Sequence, residues 1–332
     1  MNGRIAAANG RPEGRPSRQI NVILRSQEPP VVSSAVPEKE TVPAQKNTAQ
    51  HSLYQEIQKE LDQLVGLDSI KDFVFEIYAM LQIAHMRQEA GLASGGHVYH
   101  MVFKGNPGTG KTTVARIIAK LFQKMGVLSK GHLIEVERAD LVGEYIGHTA
   151  QKTRDLVKKA LGGILFIDEA YSLARGGEKD FGKEAIDTLV KAMEDHKNQF
   201  ILILAGYSEE IDFFLQTNPG LPSRFPIQVD FPDYTIDQLI QISELMAKER
   251  DYILMPQAIL KLRQHLIQEK GESEHAFSNA RYVRNTIEKS IRNQAVRLLN
   301  HYAHSNPGKL ELMTLRTEDF KLEAKGAPGS LN

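Results

Sequence analysis

A glycine-rich segment in the first third of the chain has the residue types that bind phosphate. Gly105 to Thr112 reads Gly-Asn-Pro-Gly-Thr-Gly-Lys-Thr and fits the pattern GxxxxGK[ST]. Glycines let backbone N–H groups surround phosphate oxygens, Lys111 supplies positive charge to the outer phosphates, and Thr112 offers a hydroxyl to Mg²⁺. The predicted nucleotide-binding residues are Gly105, Asn106, Pro107, Gly108, Thr109, Gly110, Lys111, Thr112 and Thr113.

Two adjacent acids follow a wholly apolar run farther along the chain. Asp168 and Glu169 come directly after residues 164–167. In phosphoryl transfer one acid binds Mg²⁺, and a carboxylate within hydrogen-bond reach polarises the attacking water. We assign Mg²⁺ binding to Asp168 with Thr112, and the base to Glu169. The alternative is an exposed acidic helix cap, but the spacing from Lys111 leaves room for a strand and helices and favours the catalytic pair.

Short apolar runs alternate with helical patterns and predict the elements that position these groups. The runs cover residues 98–103, 133–136, 164–167, 200–204 and 227–231. Strands separated by helices predict a five-stranded parallel, doubly wound α/β sheet. After Pro232 the sequence has no further short apolar run typical of a strand. Three amphipathic segments, 235–250, 256–270 and 279–300, then predict a small all-helical lid domain.

Composition predicts five segments along the chain. Residues 1–50 are rich in Pro, Ser and Gln and are expected to form a mostly disordered tail, in which Gln19 to Leu24 is either an added strand or a chance apolar run. Residues 51–96 predict a helical approach, with Asp68 capping its second helix. The α/β domain is assigned to 97–233, the lid to 234–324, and a frayed end to 325–332.

Charge and cysteine content limit the class of protein. Lys plus Arg and Asp plus Glu are both 41 among 332 residues, and there is no cysteine. Balanced charge argues against an electrostatic hold on nucleic acid or membrane, and a cysteine-free chain has no disulfides or thiolate metal sites. No run approaches the ~18 apolar residues of a membrane helix, and no signal peptide is evident. We expect a soluble, cytoplasmic protein.

Several longer strings resemble the AAA+ ATPases, and within them a group of red-type Rubisco activases and a related sporulation ATPase. The strings are 105–113, 139–149, 164–173, 204–207, 218–225 and 279–285. Residues 129–135, 174–183 and 19–24 look more like the sporulation branch. The resemblance implies a P-loop AAA+ module with ATP and Mg²⁺ that hydrolyses ATP as a homo-oligomer, a hexameric ring, and threads or remodels proteins in spore formation.

The same resemblance assigns roles to polar residues outside the two motifs. Arg224 matches an arginine finger that reaches the γ-phosphate bound by the neighbouring subunit, for which the alternative is a surface arginine. Arg281 matches the second sensor, on the lid, with Arg284 as the competing candidate. Either Tyr207 or Asn218 matches the first sensor.

Two further segments gain a role through the resemblance. Tyr145, Ile146 and Gly147 match the aromatic loop that AAA+ rings project into a central pore, where Tyr145 would grip polypeptide; the alternative is a core tyrosine. Leu64 to Leu67 matches the segment that packs on adenine, with Val65 and Gly66 as its nucleotide-binding residues.

Three functions compete on this sequence. The leading one is an ATP-driven remodeller of proteins. The alternative is a nucleotide-gated adaptor or scaffold with slow ATPase activity that recruits partners through its N-terminal tail. A DNA loader would need a basic channel that the balanced charge does not predict. The eleven histidines form no HExxH motif, so Mg²⁺ with ATP is the metal we predict.

Overall fold

The computed structural model describes residues 54–93, 97–145, 147–176, 180–272, 277–303 and 305–322. The predictions of a tail over residues 1–50, of a strand at 19–24, of a frayed end at 325–332 and of a role for Ile146 lie outside these ranges. Helix α1 is described over residues 54–62. Helix α2 is Asp68–Glu89, and its cap position is Leu67 in a left-handed conformation, so Asp68 is a first-turn acid and not the predicted cap.

The α/β part has five parallel strands in the order β2-β3-β4-β1-β5, which confirms the predicted sheet. The strands are β1 (Met101–Gly105), β2 (Leu133–Val136), β3 (Ile164–Ile167), β4 (Ile201–Gly206) and β5 (Ile227–Phe231). The helices are α3 (Lys111–Lys124), α4 (Arg138–Leu141), α5 (His148–Ala160), α6 (Gly182–Asp195), α7 (Ser208–Gln216) and α8 (Leu221–Arg224), with a 3₁₀ turn at Ala170–Ala174.

The first strand starts later than the apolar run predicts. Residues 97–100 lie outside β1, although the run begins at 98. The His100 ring accepts a hydrogen bond from the Leu202 N–H at 2.9 Å, so a side chain satisfies the backbone donor there. Burial lowers the pKa of His100 to about 4, which keeps the ring neutral and able to accept.

Both faces of the sheet are buried, which explains why its strands read as continuous apolar runs. One face, with Phe103 and Phe166, packs in a core that also contains residues of α1, α2 and α3. The opposite face, with Val102 and Leu165, packs in a second core with residues of α5, α6 and α7. The carboxyl ends of the parallel strands therefore meet along one edge between the two helical layers.

The lid is helical, as predicted, with one short exception. Its helices are α9 (Ile236–Lys248), α10 (Pro256–Glu272), α11 (Asn279–His301) and α12 (Lys309–Met313). A parallel pair, β6 (Ile253–Leu254) and β7 (Thr314–Leu315), was not predicted because each strand is two residues long. Thr235 and Gln238 form a capping box that starts α9. Among the described helices, none is long and apolar enough to cross a membrane.

Candidate functional site

A cleft of about 320 Å³ lies where the carboxyl ends of the strands, the glycine-rich loop and the lid meet. Seven residues of the predicted nucleotide segment line it: Gly105, Pro107, Gly108, Gly110, Lys111, Thr112 and Thr113. The cleft also contains both predicted catalytic acids and two arginines of α11. The tertiary structure therefore brings groups from distant parts of the chain to one site.

The glycine-rich loop leads directly into the first turn of α3. Gly110 is the residue before that helix and has a φ of 98°, a conformation that L side chains rarely adopt. Lys111 begins the helix, and its Nζ donates to the carbonyl oxygens of Gly105 and Asn106, both at 2.8 Å. The ammonium group is thus held inside the loop, beside the positive end of the helix dipole.

The Lys111 ammonium is buried, and this changes its acidity. Burial lowers the pKa of Lys111 to about 8, an effect that nearby Asp168 opposes and nearby Arg281 reinforces. A phosphate group in the cleft would place negative charge beside the ammonium group and so offset the cost of burying it. The lysine is therefore suited to bind an anion.

Two residues of the segment do not face the cleft. Asn106 turns away from it and donates to the carboxylate of Asp233 at 3.0 Å and 3.1 Å. Thr109 is fully buried, and its hydroxyl donates to the Asn106 carbonyl at 2.8 Å. Both belong to the predicted nucleotide-binding segment, and their side chains anchor the loop.

The predicted acidic pair lies at the end of β3. The Asp168 N–H donates to the Val136 carbonyl at 3.0 Å, and its carboxylate accepts from the Glu169 N–H at 3.0 Å. Glu169 is exposed in the cleft and has a φ of 48°, which is unfavourable for a residue with a side chain. Such local strain is concentrated at functional sites and here aims the second carboxylate into the cleft.

The residues that line the cleft fit a magnesium ion. Thr112 and Asp168 both line it and supply hydroxyl and carboxylate oxygens, the ligand type that Mg²⁺ prefers together with water and phosphate oxygens. No cluster of three or more His, Asp or Glu side chains that could hold a metal exists within the described residues. A metal at this site would therefore depend on oxygens from a bound nucleotide.

Of the two predicted first sensors, Tyr207 lies in the cleft. It follows β4, and burial together with Glu169 raises the pKa of its hydroxyl, which therefore stays protonated and can donate a hydrogen bond at neutral pH. Asn218 does not line the cleft; its side-chain oxygen accepts from the Gly220 N–H at 3.0 Å. The position of Asn218 therefore indicates a role in stabilising a turn.

Both predicted second-sensor arginines line the cleft from α11. Arg281 also meets the phosphate loop through its backbone, since a Cβ on Gly108 would lie 2.7 Å from the Arg281 nitrogen, and its charge contributes to the lowered pKa of Lys111.

Part of the cleft wall is apolar. Val65 lines it as predicted, but Gly66 does not, because Gly66 packs against the Gln238 side chain. Leu64 and Leu67 of the same predicted segment also line it, and four residues that the sequence did not single out complete this wall: Tyr234, Ile242, Leu245 and Met246. The last three lie on one stripe of α9. The amphipathic pattern of this segment predicts an apolar stripe, but it does not tell whether the stripe packs in the core or lines a ligand site.

Arg224 lies outside the cleft of its own chain. Its guanidinium donates to the Gly220 carbonyl at 2.7 Å and forms an ion pair with Glu194. The side chain is 28% exposed, so it is accessible at the surface. A role in the chemistry would therefore require the cleft of a second chain.

Hydrogen bonds hold the backbone on both sides of the predicted pore loop. The Gly143 N–H donates to the Thr149 hydroxyl at 2.9 Å, and Lys152 donates to the Val142 carbonyl at 3.1 Å. Between these anchors Tyr145 is 66% exposed, with its ring edge-on to His148 at 5.4 Å. This exposure contradicts the alternative of a core tyrosine.

The chain matches two protein families over adjoining ranges. Residues 101–233 match the ATPase family associated with various cellular activities (AAA), and residues 235–329 match the AAA lid domain. The boundary between the two matches falls at Tyr234, shortly after β5 ends at Phe231.

Curated relatives cover most of the chain. Stage V sporulation protein K of Bacillus subtilis (strain 168) is 58% identical over 314 residues, which is 93% of this chain and 96% of that protein. The chloroplastic ribulose bisphosphate carboxylase/oxygenase activase of Cyanidioschyzon merolae is 44% identical over 80% of this chain and 90% of its own length. Protein CbbX of Cereibacter sphaeroides is 43% identical over 80% and 86%. A solved structure of a Thermotoga maritima RuvB mutant aligns with a TM-score of 0.48 at 21% identity, over 76% of this chain and 70% of that chain.

Proposed function

This chain belongs to the AAA family of ATPases, in the group of stage V sporulation protein K and the Rubisco activases, and from that premise we propose that it is a Mg²⁺-dependent, ring-forming ATPase that remodels proteins during spore formation. The observation that carries the proposal is the cleft itself, where the phosphate loop, the acidic pair and a lid arginine converge. The spore-formation part is supported by the 58% identity to the Bacillus subtilis sporulation protein.

Nucleotide binding is divided between the two ends of the cleft. The triphosphate lies against the N-terminus of α3, where backbone N–H groups and Lys111 meet its negative charge. The adenine packs on the apolar wall of residues 64–67 and α9, which includes Val65 and Met246. Tyr207 and Arg281 donate to phosphate from the sheet side and the lid side.

Hydrolysis follows from the arrangement of the acids. Thr112 and Asp168 would hold Mg²⁺, which when bound would supply positive charge to the phosphate oxygens. Glu169 polarises a water for in-line attack on the γ-phosphate, and Lys111 stabilises the charge on the transferred phosphoryl group. The left-handed backbone of Glu169 positions its carboxylate for this task.

In the proposed ring, each active site receives a positive charge from the neighbouring subunit. Arg224 does not reach the cleft of its own chain and is paired with Glu194 instead. We assign Arg224 to the γ-phosphate bound by the next subunit, where such an arginine contributes roughly 10³-fold to the rate of hydrolysis in P-loop enzymes. On this proposal the active site is completed only by assembly.

The substrate of the motor is a polypeptide gripped by Tyr145. The exposed ring and its anchored loop support this role, since an aromatic side chain offers contact area with little sequence preference. In a ring the loops of all subunits would face one another, and movement of the lid with each nucleotide cycle would pull on the bound segment.

The Glu169→Gln substitution tests the ATPase assignment. It keeps the size of the side chain and removes the base, so ATP hydrolysis should fall by roughly 10²-fold or more while ATP binding persists. Both quantities can be measured on the purified full chain, by phosphate release and by equilibrium binding.

Glu209→Gln is the matched control, since Glu209 is an exposed glutamate of α7 that does not line the cleft. Its turnover should equal that of the unmodified chain. Near-normal turnover in Glu169→Gln would remove Glu169 from the base role.

A further inference from the structure

A set of hydrogen bonds not used in the chemistry above joins the phosphate loop to the lid. Asp233, which follows β5, accepts from two side-chain amides. Asn106 of the loop donates to it at 3.0 Å and 3.1 Å, and Asn279, the first residue of α11, donates to it at 2.7 Å. One carboxylate therefore connects the phosphate loop with the lid helix that carries Arg281. We call Asn106, Asp233 and Asn279 the amide junction.

Asn279 is fully buried at the centre of this junction. Its side-chain oxygen accepts from the Tyr234 N–H at 3.0 Å, and its amide nitrogen also donates to the Phe277 carbonyl at 3.1 Å. Its φ is 46°, in the left-handed region that asparagine tolerates better than most residues with a side chain. The residue thus provides an unusual backbone turn and a polar cross-link at the same position.

The backbone of the phosphate loop touches the same turn. The Ala280 N–H donates to the Gly108 carbonyl at 3.2 Å. A Cβ on Gly108 would lie 2.3 Å from the Ser278 carbonyl oxygen and 2.7 Å from the Arg281 nitrogen, a separation that no side chain allows. A shift of the loop on binding phosphate would therefore push directly on the first turn of α11.

We propose that Asn279 is a positioning residue that holds Arg281 over the phosphate loop and couples nucleotide binding to the position of the lid. This inference rests on the proposed function in assigning Arg281 to phosphate. Asn279 is two positions before Arg281 in the chain, and its four side-chain hydrogen bonds fix the turn from which the guanidinium extends; the fourth runs from its amide nitrogen to the carbonyl of Pro107 in the phosphate loop, at 3.4 Å. Asp233 and Asn106 transmit the position of the loop to that turn.

Asn279→Gly is the direct test, because glycine adopts the left-handed conformation freely and only the side-chain bonds are lost. Affinity for ATPγS, measured by equilibrium binding to the full chain, should fall by roughly tenfold, the effect of removing a hydrogen bond to a charged partner. Arg281→Ala should show a loss of similar size. The Asn279→Gly, Arg281→Ala double variant should be no weaker than Arg281→Ala alone, since Asn279 acts through that arginine.

A buried amide elsewhere in the lid provides the matched control. Gln294 is 3% exposed and donates to the carbonyls of Glu311, Leu312 and Thr314, away from the phosphate loop. Gln294→Ala removes a comparable set of bonds and should lower the melting temperature while leaving ATPγS affinity unchanged. A general loosening of the lid would instead weaken binding in both variants.

The position of the lid can be measured independently of nucleotide affinity. Because the chain contains no cysteine, spin labels attach only at cysteines that are introduced. Spin labels on Lys197→Cys and Gln264→Cys, both exposed, report the separation of the α/β domain and the lid. ATPγS should change this separation in the parent chain, and Asn279→Gly should reduce the change while Gln294→Ala does not.

Two results would overturn the proposal: additive losses in the double variant, or an unaltered lid response in Asn279→Gly. Neither readout needs hydrolysis. A parent chain that binds ATPγS and moves its lid but does not turn over ATP would contradict the proposed function alone.

Discussion

The protonation state of Lys111 makes the charge of the phosphate loop depend on pH. It is 9% exposed, and its hydrogen bonds go to two carbonyl oxygens of the loop that it serves. Neutral carbonyls do not compensate for burying a positive charge, and this burial lowers the pKa of Lys111 to about 8. The lysine is therefore close to losing its proton under mildly alkaline conditions.

We expect the affinity for ADP to depend on this proton. Phosphate binds the protonated lysine and raises its pKa, so binding is strongest below the free-state value of about 8 and weakens as pH rises through it. Above that value affinity should fall by about tenfold per pH unit, the limit for uptake of one proton. Isothermal titration calorimetry from about pH 7.5 to about pH 9.5 measures both the affinity and the proton uptake.

The Lys111→Met variant is the control for this titration, because its residual ADP binding should lack the alkaline fall. An affinity of the parent chain that stays level through the same range would show that a different group governs phosphate binding.

At the scale of elements, the lid depends on one buried ion pair at its C-terminal end. Asp319 is 1% exposed and accepts from Arg297 Nε at 2.8 Å, from Arg297 Nη2 at 3.0 Å and from the Arg316 N–H at 2.8 Å. The pair holds the 3₁₀ turn Thr317–Asp319 against α11. The pair therefore anchors the C-terminal end of the lid, at the end of α11 opposite to Arg281.

Asp319→Ala should destabilise the lid by about 3 kcal/mol, because it leaves a largely buried guanidinium without its best partner. Hydrogen exchange of the α11 amides gives the free energy of local opening directly. Glu318→Ala is the matched control: Glu318 also pairs with Arg297, at 3.3 Å, but is 61% exposed, and its loss should cost under about 1 kcal/mol. Equal effects of the two substitutions would contradict the assignment of the buried pair as the dominant contact.

For the whole molecule, the proposed role of Arg224 on a neighbouring subunit makes ATPase activity depend on assembly. Two defective chains can test this dependence. A chain with Arg224→Ala keeps its own cleft, and a chain with Lys111→Ala keeps its arginine finger, so each alone should be nearly inactive. Mixed in equal amounts in a ring of head-to-tail contacts, about a quarter of the sites should be complete and ATPase activity should reappear.

The control mixture combines Arg224→Ala with an Arg224→Ala, Lys111→Ala chain, which offers no finger to any site and should stay inactive. If the first mixture also stays inactive although size-exclusion chromatography shows mixed assemblies, Arg224 does not act on a neighbouring subunit.

The local parts of the site were predictable from sequence because their geometry is local. Gly105 to Thr112 forms a strand-to-helix turn within one short segment, and residues 164–167 place Asp168 and Glu169 at a strand end by continuity of the chain. The strands themselves were recognisable since burial on both faces requires apolar side chains throughout. The parallel sheet and the helical lid followed from the same patterns.

Contacts between distant segments were decided only by tertiary packing. The choice of Tyr207 over Asn218 at the cleft depends on which of two turns faces the strand edge. The side chain of Asn106 binds Asp233, far away in sequence, because the residue after β5 and the start of α11 both meet the loop there. A motif fixes the backbone of a short segment, whereas the direction of each side chain depends on the elements packed around it.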